Sequence, residues 1–142
     1  MRRCLELAGR ALATGDAPVG ALVVRHEEIV AEGVEGVQAT GDVTAHAEIV
    51  AVRAACDRLG SRDLSACSLY TTVAPCPMCA YAIRLARLGL VVSGAPAGNP
   101  DGPLNGWRLL ATAEFLPERP VPQLVGGVLL EECRAMLRRR QP

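Results

Sequence analysis

Leu69-Tyr70-Thr71-Thr72-Val73-Ala74-Pro75-Cys76-Pro77-Met78-Cys79 is the stretch that decides how this chain folds. Leu69 to Val73 is apolar and β-branched, the composition of a buried strand. Pro75 then opens a helix running from Cys76 to about Arg87. Two cysteines three apart in its first turn share one helical face. Gly89 precedes another short strand, Leu90-Val91-Val92.

Upstream, residues 2–14 place Leu5, Ala8 and Leu12 at helical spacing. Ala17 to Val24 is largely apolar and suits a buried strand, and Ile29-Val30-Ala31 begins a second one. Arg25 to Glu28 makes the turn between them, so the pair reads as a hairpin. Gly33 to Asp42 reads as loop; Thr44 is a candidate N-cap for a helix to about Leu59, which Gly60 ends. Downstream, residues 93–106 hold four Gly and three Pro and read as loop. A short helix over Trp107–Thr112, a strand over Val121–Val125 and a helix over 128–140 follow. The order α-β-β-α-β-α-β-(α)-β-α predicts an α/β fold, one sheet covered by helices on both faces.

The 142 residues suit a single domain spanning 1–142, with no repeat or linker. Half the residues are hydrophobic and 21% are charged, which excludes extensive disorder. Fifteen basic residues balance fifteen acidic ones, and every basic one is Arg. A chain without Lys has no Schiff-base lysine and no Walker lysine. Its neutrality argues against a protein built mainly to grip phosphates. The six Cys (4, 56, 67, 76, 79, 133) are too sparse for a disulfide scaffold. No stretch approaches the roughly 20 apolar residues of a membrane span, and Glu6 and Arg10 interrupt any secretory core. The expectation is a soluble, reduced, cytoplasmic domain that meets no membrane.

Thr44-Ala45-His46-Ala47-Glu48 is the second informative segment, also at an expected helix N-terminus. His46 with Cys76 and Cys79 makes a His-Cys-Cys set suited to Zn²⁺. Three ligands leave a tetrahedral metal one open position, the catalytic pattern. Glu48 need not ligate; it can take a proton from activated water and deliver it to a ring nitrogen. A Cys-x-x-Cys pair also occurs in structural zinc knuckles and redox sites, so a non-catalytic, zinc-stabilised binding module is the alternative of another class. A redox role leaves His46 and Glu48 unexplained, and a structural site lacks a fourth ligand.

H-x-E together with P-C-x-x-C is the zinc deaminase signature. With Pro18-Val19-Gly20-Ala21, and with Gly126-Gly127-Val128-Leu129 and Glu132-Cys133 near the end, the chain resembles the cytidine/deoxycytidylate deaminase superfamily over about residues 3–140. The resemblance is nearest to the branch of bacterial tRNA adenosine deaminases and guanine deaminases. It implies a three-layer α/β/α fold around a five-stranded mixed sheet. It also implies hydrolytic loss of ammonia from an amino-substituted heterocycle, with zinc held by His46, Cys76 and Cys79 and Glu48 as proton shuttle. The Ala47 N–H would contact a ring atom, Val19 and Trp107 would line the substrate site, and the chain would be a homodimer.

Three departures from the family pattern stand out, of which the second, at Ala74, has little consequence for substrate. Glu35 stands where relatives usually carry Asn; either it pairs with a donor or cationic group of the substrate, or it is a solvated loop residue. Ala74 replaces the Glu of the nearest relatives. The loop Gly94-Ala95-Pro96-Ala97-Gly98-Asn99-Pro100-Asp101 has no basic residue until Arg108, and aromatic residues for stacking flipped bases are few. These favour a small aminated base, nucleoside or related heterocycle over a tRNA adenosine deaminase. The Arg138-Arg139-Arg140 run solvates a helix end or, in the minority reading, meets a polynucleotide.

Overall fold

The computed structural model describes residues 1–97 and 105–140. Its elements are α1 (Arg2–Ala13), β1 (Gly20–Arg25), β2 (Glu28–Val34), α2 (Val37–Thr40), α3 (Ala47–Leu59), β3 (Ser68–Val73), α4 (Pro77–Leu85), β4 (Leu90–Ala95), α5 (Gly106–Ala111), β5 (Gln123–Val125) and α6 (Leu130–Arg138). The five strands form one mixed sheet in the order β2-β1-β3-β4-β5. β1 runs antiparallel to β2 and β3, whereas β3, β4 and β5 are parallel. Helices α1 and α6 touch each other and one face of the sheet, while α3 and α4 pack together beside β1, β2 and β3, with α5 against α4. The three-layer α/β/α architecture implied by the resemblance is therefore the one observed.

The main core lies under α3 and α4. Val23, Leu69 and Val91 from neighbouring strands meet Ala51, Ala55, Ala80 and Ile83 from the helices, all fully buried. Each buried Val, Leu or Ile contributes about 1.5–3 kcal/mol, while the alanines let the helices sit close to the sheet. Ala21 pairs with Thr71 and Leu69 with Val91, which fixes the ends of β1, β3 and β4 relative to one another. The turn after β3 consequently opens beside the start of β1, at the carboxyl edge of the parallel strands, where open α/β sheets place ligands.

Arg84 is fully buried on α4 and donates to the carbonyls of Leu110, Thr112, Leu116 and Arg119. It ties the segment after α5 to the helix that carries the cysteines.

Several boundaries differ from expectation. β1 starts at Gly20 rather than Ala17, because Val19 turns to exchange backbone bonds with Ala17 and Glu35. Thr44 does not cap α3; its N–H and hydroxyl both go to Asp42, and His46 is the N-cap. A one-turn helix, α2, stands within the segment read as loop. β4 runs on through Gly94 and Ala95, where the Ala74 N–H pairs with the Ala95 carbonyl. The remainder of that loop reading, from Gly98 to Leu104, lies outside the described residues. No helix among the described residues is long and apolar enough to cross a membrane.

Candidate active site

His46 caps α3 in extended conformation, with φ −70° and ψ 144°, and Cys76 caps α4 likewise, with φ −73° and ψ 171°. Pro77 follows at the first helical position, where its missing N–H costs nothing. The two helix starts face each other across the end of β3. His46 Nδ1 lies 3.7 Å from Cys76 Sγ and 3.7 Å from Cys79 Sγ, and the sulfurs are 3.6 Å apart. Tetrahedral zinc, with bonds of about 2.3 Å to sulfur and about 2.0–2.1 Å to nitrogen, sets S···S near about 3.8 Å and S···N near about 3.6 Å. The donor set and its spacing fit zinc. The positive ends of two helices also favour thiolate there.

The electrostatics are asymmetric. The hydrogen bond shared between the sulfurs holds the Cys76 thiol down at about 5, and it pushes the Cys79 thiol, further burdened by burial, upward. Glu48 is 3% exposed, and its burial raises the carboxyl to about 7. Glu48 Oε2 sits 3.6 Å from Cys79 Sγ and Oε1 sits 3.2 Å from the Thr71 hydroxyl. That hydroxyl is also 3.0 Å from the Val73 carbonyl. The Thr71 hydroxyl donates, with both Glu48 Oε1 and the Val73 carbonyl within its reach as acceptors.

The metal-ligand set opens into a cavity of about 370 Å³ that Asp16, Val19, Glu35, Gln38, Glu48 and Arg140 help to line. Asp16 is buried and accepts the amides of Gln38 at 2.6 Å and Ala39 at 3.2 Å, so it shapes α2 as part of the cavity rim. Neither Asp16 nor Thr71 stood out in the sequence, whereas Arg140 did, as the last residue of the Arg138-Arg139-Arg140 run, though not as part of this cavity. An Asp before Ala17-Pro18 is an available signal for a backbone cap, whereas Thr71 becomes visible only through the packing.

Of the expected substrate contacts, Val19 and Glu35 line this cavity and two others do not stand as expected. The Ala47 N–H is already donated, 3.0 Å, to Glu35 Oε2. Trp107 lines a neighbouring cavity of about 260 Å³ with Asn105 and Arg134; Ala74 and Ala97 form the wall common to both. Glu35 is buried at 7% exposure, which excludes the solvated-loop reading.

Residues 1–95 match the cytidine and deoxycytidylate deaminase zinc-binding region. The chain is 38% identical over 139 residues to the tRNA-specific adenosine deaminase of Bacillus subtilis, covering 96% of this chain and 83% of that one. A structure from a study of A-to-I editing by tRNA:A34 deaminases superposes with a TM-score of 0.87 at 31% identity, covering 96% of this chain and 97% of that one. The guanine deaminase of Nitrosomonas europaea superposes with a TM-score of 0.80 at 25% identity, covering 98% and 81% respectively. Matched in sequence over most of its length and carrying a zinc-fitting His-Cys-Cys set, the chain belongs to the cytidine and deoxycytidylate deaminase family, the zinc-dependent hydrolases of C–N bonds.

Proposed function

We propose that residues 1–142 form a single cytoplasmic deaminase domain acting on a free amino-substituted heterocycle, a nucleobase, nucleoside or related small molecule. The observation that carries this reading is the charge of the cavity. Three carboxyl groups, Asp16, Glu35 and Glu48, line it against one guanidinium, Arg140, among the described residues. A polyanion held by its phosphates needs several cations around the mouth, whereas a free amino heterocycle needs none. The volume of about 370 Å³ accommodates a purine or a nucleoside.

In this reading His46, Cys76 and Cys79 hold the ion. Zinc, when bound, supplies the Lewis acidity that makes water nucleophilic near neutral pH. Glu48 Oε2, on the side of the sulfurs, carries a proton from water to the substrate's ring nitrogen, while Thr71 steadies Oε1. A carboxyl poised at about 7 can both take and give that proton. Water oxygen bonds to the amino-bearing carbon; Glu48 passes the remaining hydroxyl proton to the amino group as the C–N bond breaks, so the amine leaves as ammonia and the carbon keeps the oxygen as a carbonyl. Glu35 and Val19 border the ring, and the Trp107 cavity beyond Ala74 suits a substituent.

A second copy of the chain is the proposed partner. Tyr81 and Leu85 stand exposed on α4, Leu85 on a groove of about 560 Å³ lined by Val52, Cys56 and Ala82 together with Arg62, Asp63, Arg87 and Arg119; this mixed face is the proposed homodimer contact. Deamination of tRNA adenosine is the second reading, supported by the relatives that act on tRNA and by Arg140, at the end of a three-arginine run, on the cavity rim. Ammonia release from a panel of amino bases and nucleosides, set against an anticodon stem-loop, tests the choice.

A further inference from the structure

We infer that Glu35 is a positioning residue for His46, holding the imidazole so that Nδ1 faces Cys76 and Cys79. The inference rests on the zinc reading of those three side chains.

One carboxylate faces both ends of the His46–Ala47 step. Glu35 Oε2 accepts the Ala47 N–H at 3.0 Å, and Oε1 lies 4.0 Å from His46 Nε2. Nδ1 is the nitrogen turned to the two sulfurs, 3.7 Å from each. A ring nitrogen that ligates must present its lone pair, so the ring proton belongs on Nε2, the atom Glu35 confronts. Both groups facing Glu35 are therefore donors. A carboxyl side chain turns one oxygen to each of them, Oε2 to the Ala47 N–H and Oε1 to His46 Nε2, whereas an amide has a single oxygen.

Glu35 is itself held firmly. Its N–H donates to Val19 O at 3.1 Å, the next residue's N–H donates to Ala45 O at 2.9 Å, and the side chain is nearly excluded from water. The short segment after β2 thus joins the start of β1 to the residue before His46. A metal-ligating histidine is oriented by the acceptor on its other nitrogen, and loss of that acceptor typically weakens metal affinity 10–100-fold.

The test is zinc affinity of the full-length protein by chelator competition at fixed pH, for the native chain, Glu35→Gln and Glu35→Ala. Both variants are expected to bind zinc about 10–100-fold more weakly, and their cobalt-substituted forms to show a shifted d–d absorption. Glu35→Gln keeps the volume, so it reports on the acceptor pattern even where Glu35→Ala fails to fold. Zinc affinity within twofold of native in Glu35→Gln overturns the inference, whether KM rises alone, as for a substrate contact, or only the metal-free melting temperature falls, as for a helix cap. A native chain that binds no zinc instead overturns the metal reading on which it rests, a result readily told apart.

Discussion

Glu48 shows how one residue's chemistry follows from its burial. A carboxyl on the first turn of α3 would ordinarily favour ionisation, since the helix N-terminus stabilises negative charge. Burial in the layer between α3 and β3 outweighs this and raises it to about 7. Glu48→Ala should leave zinc content unchanged while lowering ammonia release by about 10²–10⁴-fold, the usual contribution of a positioned acid or base. Parallel metal analysis and rate measurement check this; loss of zinc in that variant would instead make Glu48 part of the metal's support. The metal-ligand types were legible from H-x-E and Cys-x-x-C alone, because their spacing dictates their chemistry. Glu35 was legible only as a departure: its neighbours Ala47 N–H, 3.0 Å from Oε2, and His46 Nε2, 4.0 Å from Oε1, are brought opposite it by the fold.

At the level of elements, β3 leading into α4 was readable because local rules agree there: a β-branched run, a proline at the helix start, and a glycine before the next strand. Local rules failed where distant contacts decide. α2 exists because Asp16, more than twenty residues upstream, accepts two of its amides. Gly94 reads as a loop residue but lies in β4, where a side chain would collide with Cys133 of α6. Gly106 makes a comparable close approach at the site. A methyl group there would overlap the Pro75 carbonyl and the Cys76 backbone. Gly106→Ala should therefore displace the Cys76 cap and weaken zinc binding by at least about tenfold while most of the fold persists, by analogy with the sensitivity of supporting contacts around metals. Zinc competition and far-ultraviolet circular dichroism measure the two effects separately.

Across the whole molecule the charges balance, but among the described residues lining the cavity three carboxyl groups stand against one arginine. The buried thiols also set an alkaline limit. Burial in α1 pushes Cys4 from its ordinary 9.0 up to about 11. Below pH 9 both folded and unfolded states keep that proton, and its contribution to stability is fully present. Between pH about 9 and 11 the unfolded thiol ionises first, so stability falls, by roughly 2–3 kcal/mol for Cys4 alone. Urea midpoints at pH 8 and 10.5 should therefore drop less in Cys4→Ala than in the native chain. Ammonia release by the zinc-loaded protein tests the chemistry of the cavity most directly. Free amino bases or nucleosides should release ammonia readily, faster than an anticodon stem-loop carrying the same amino base; release from the stem-loop alone, or from neither with zinc bound, would contradict the account.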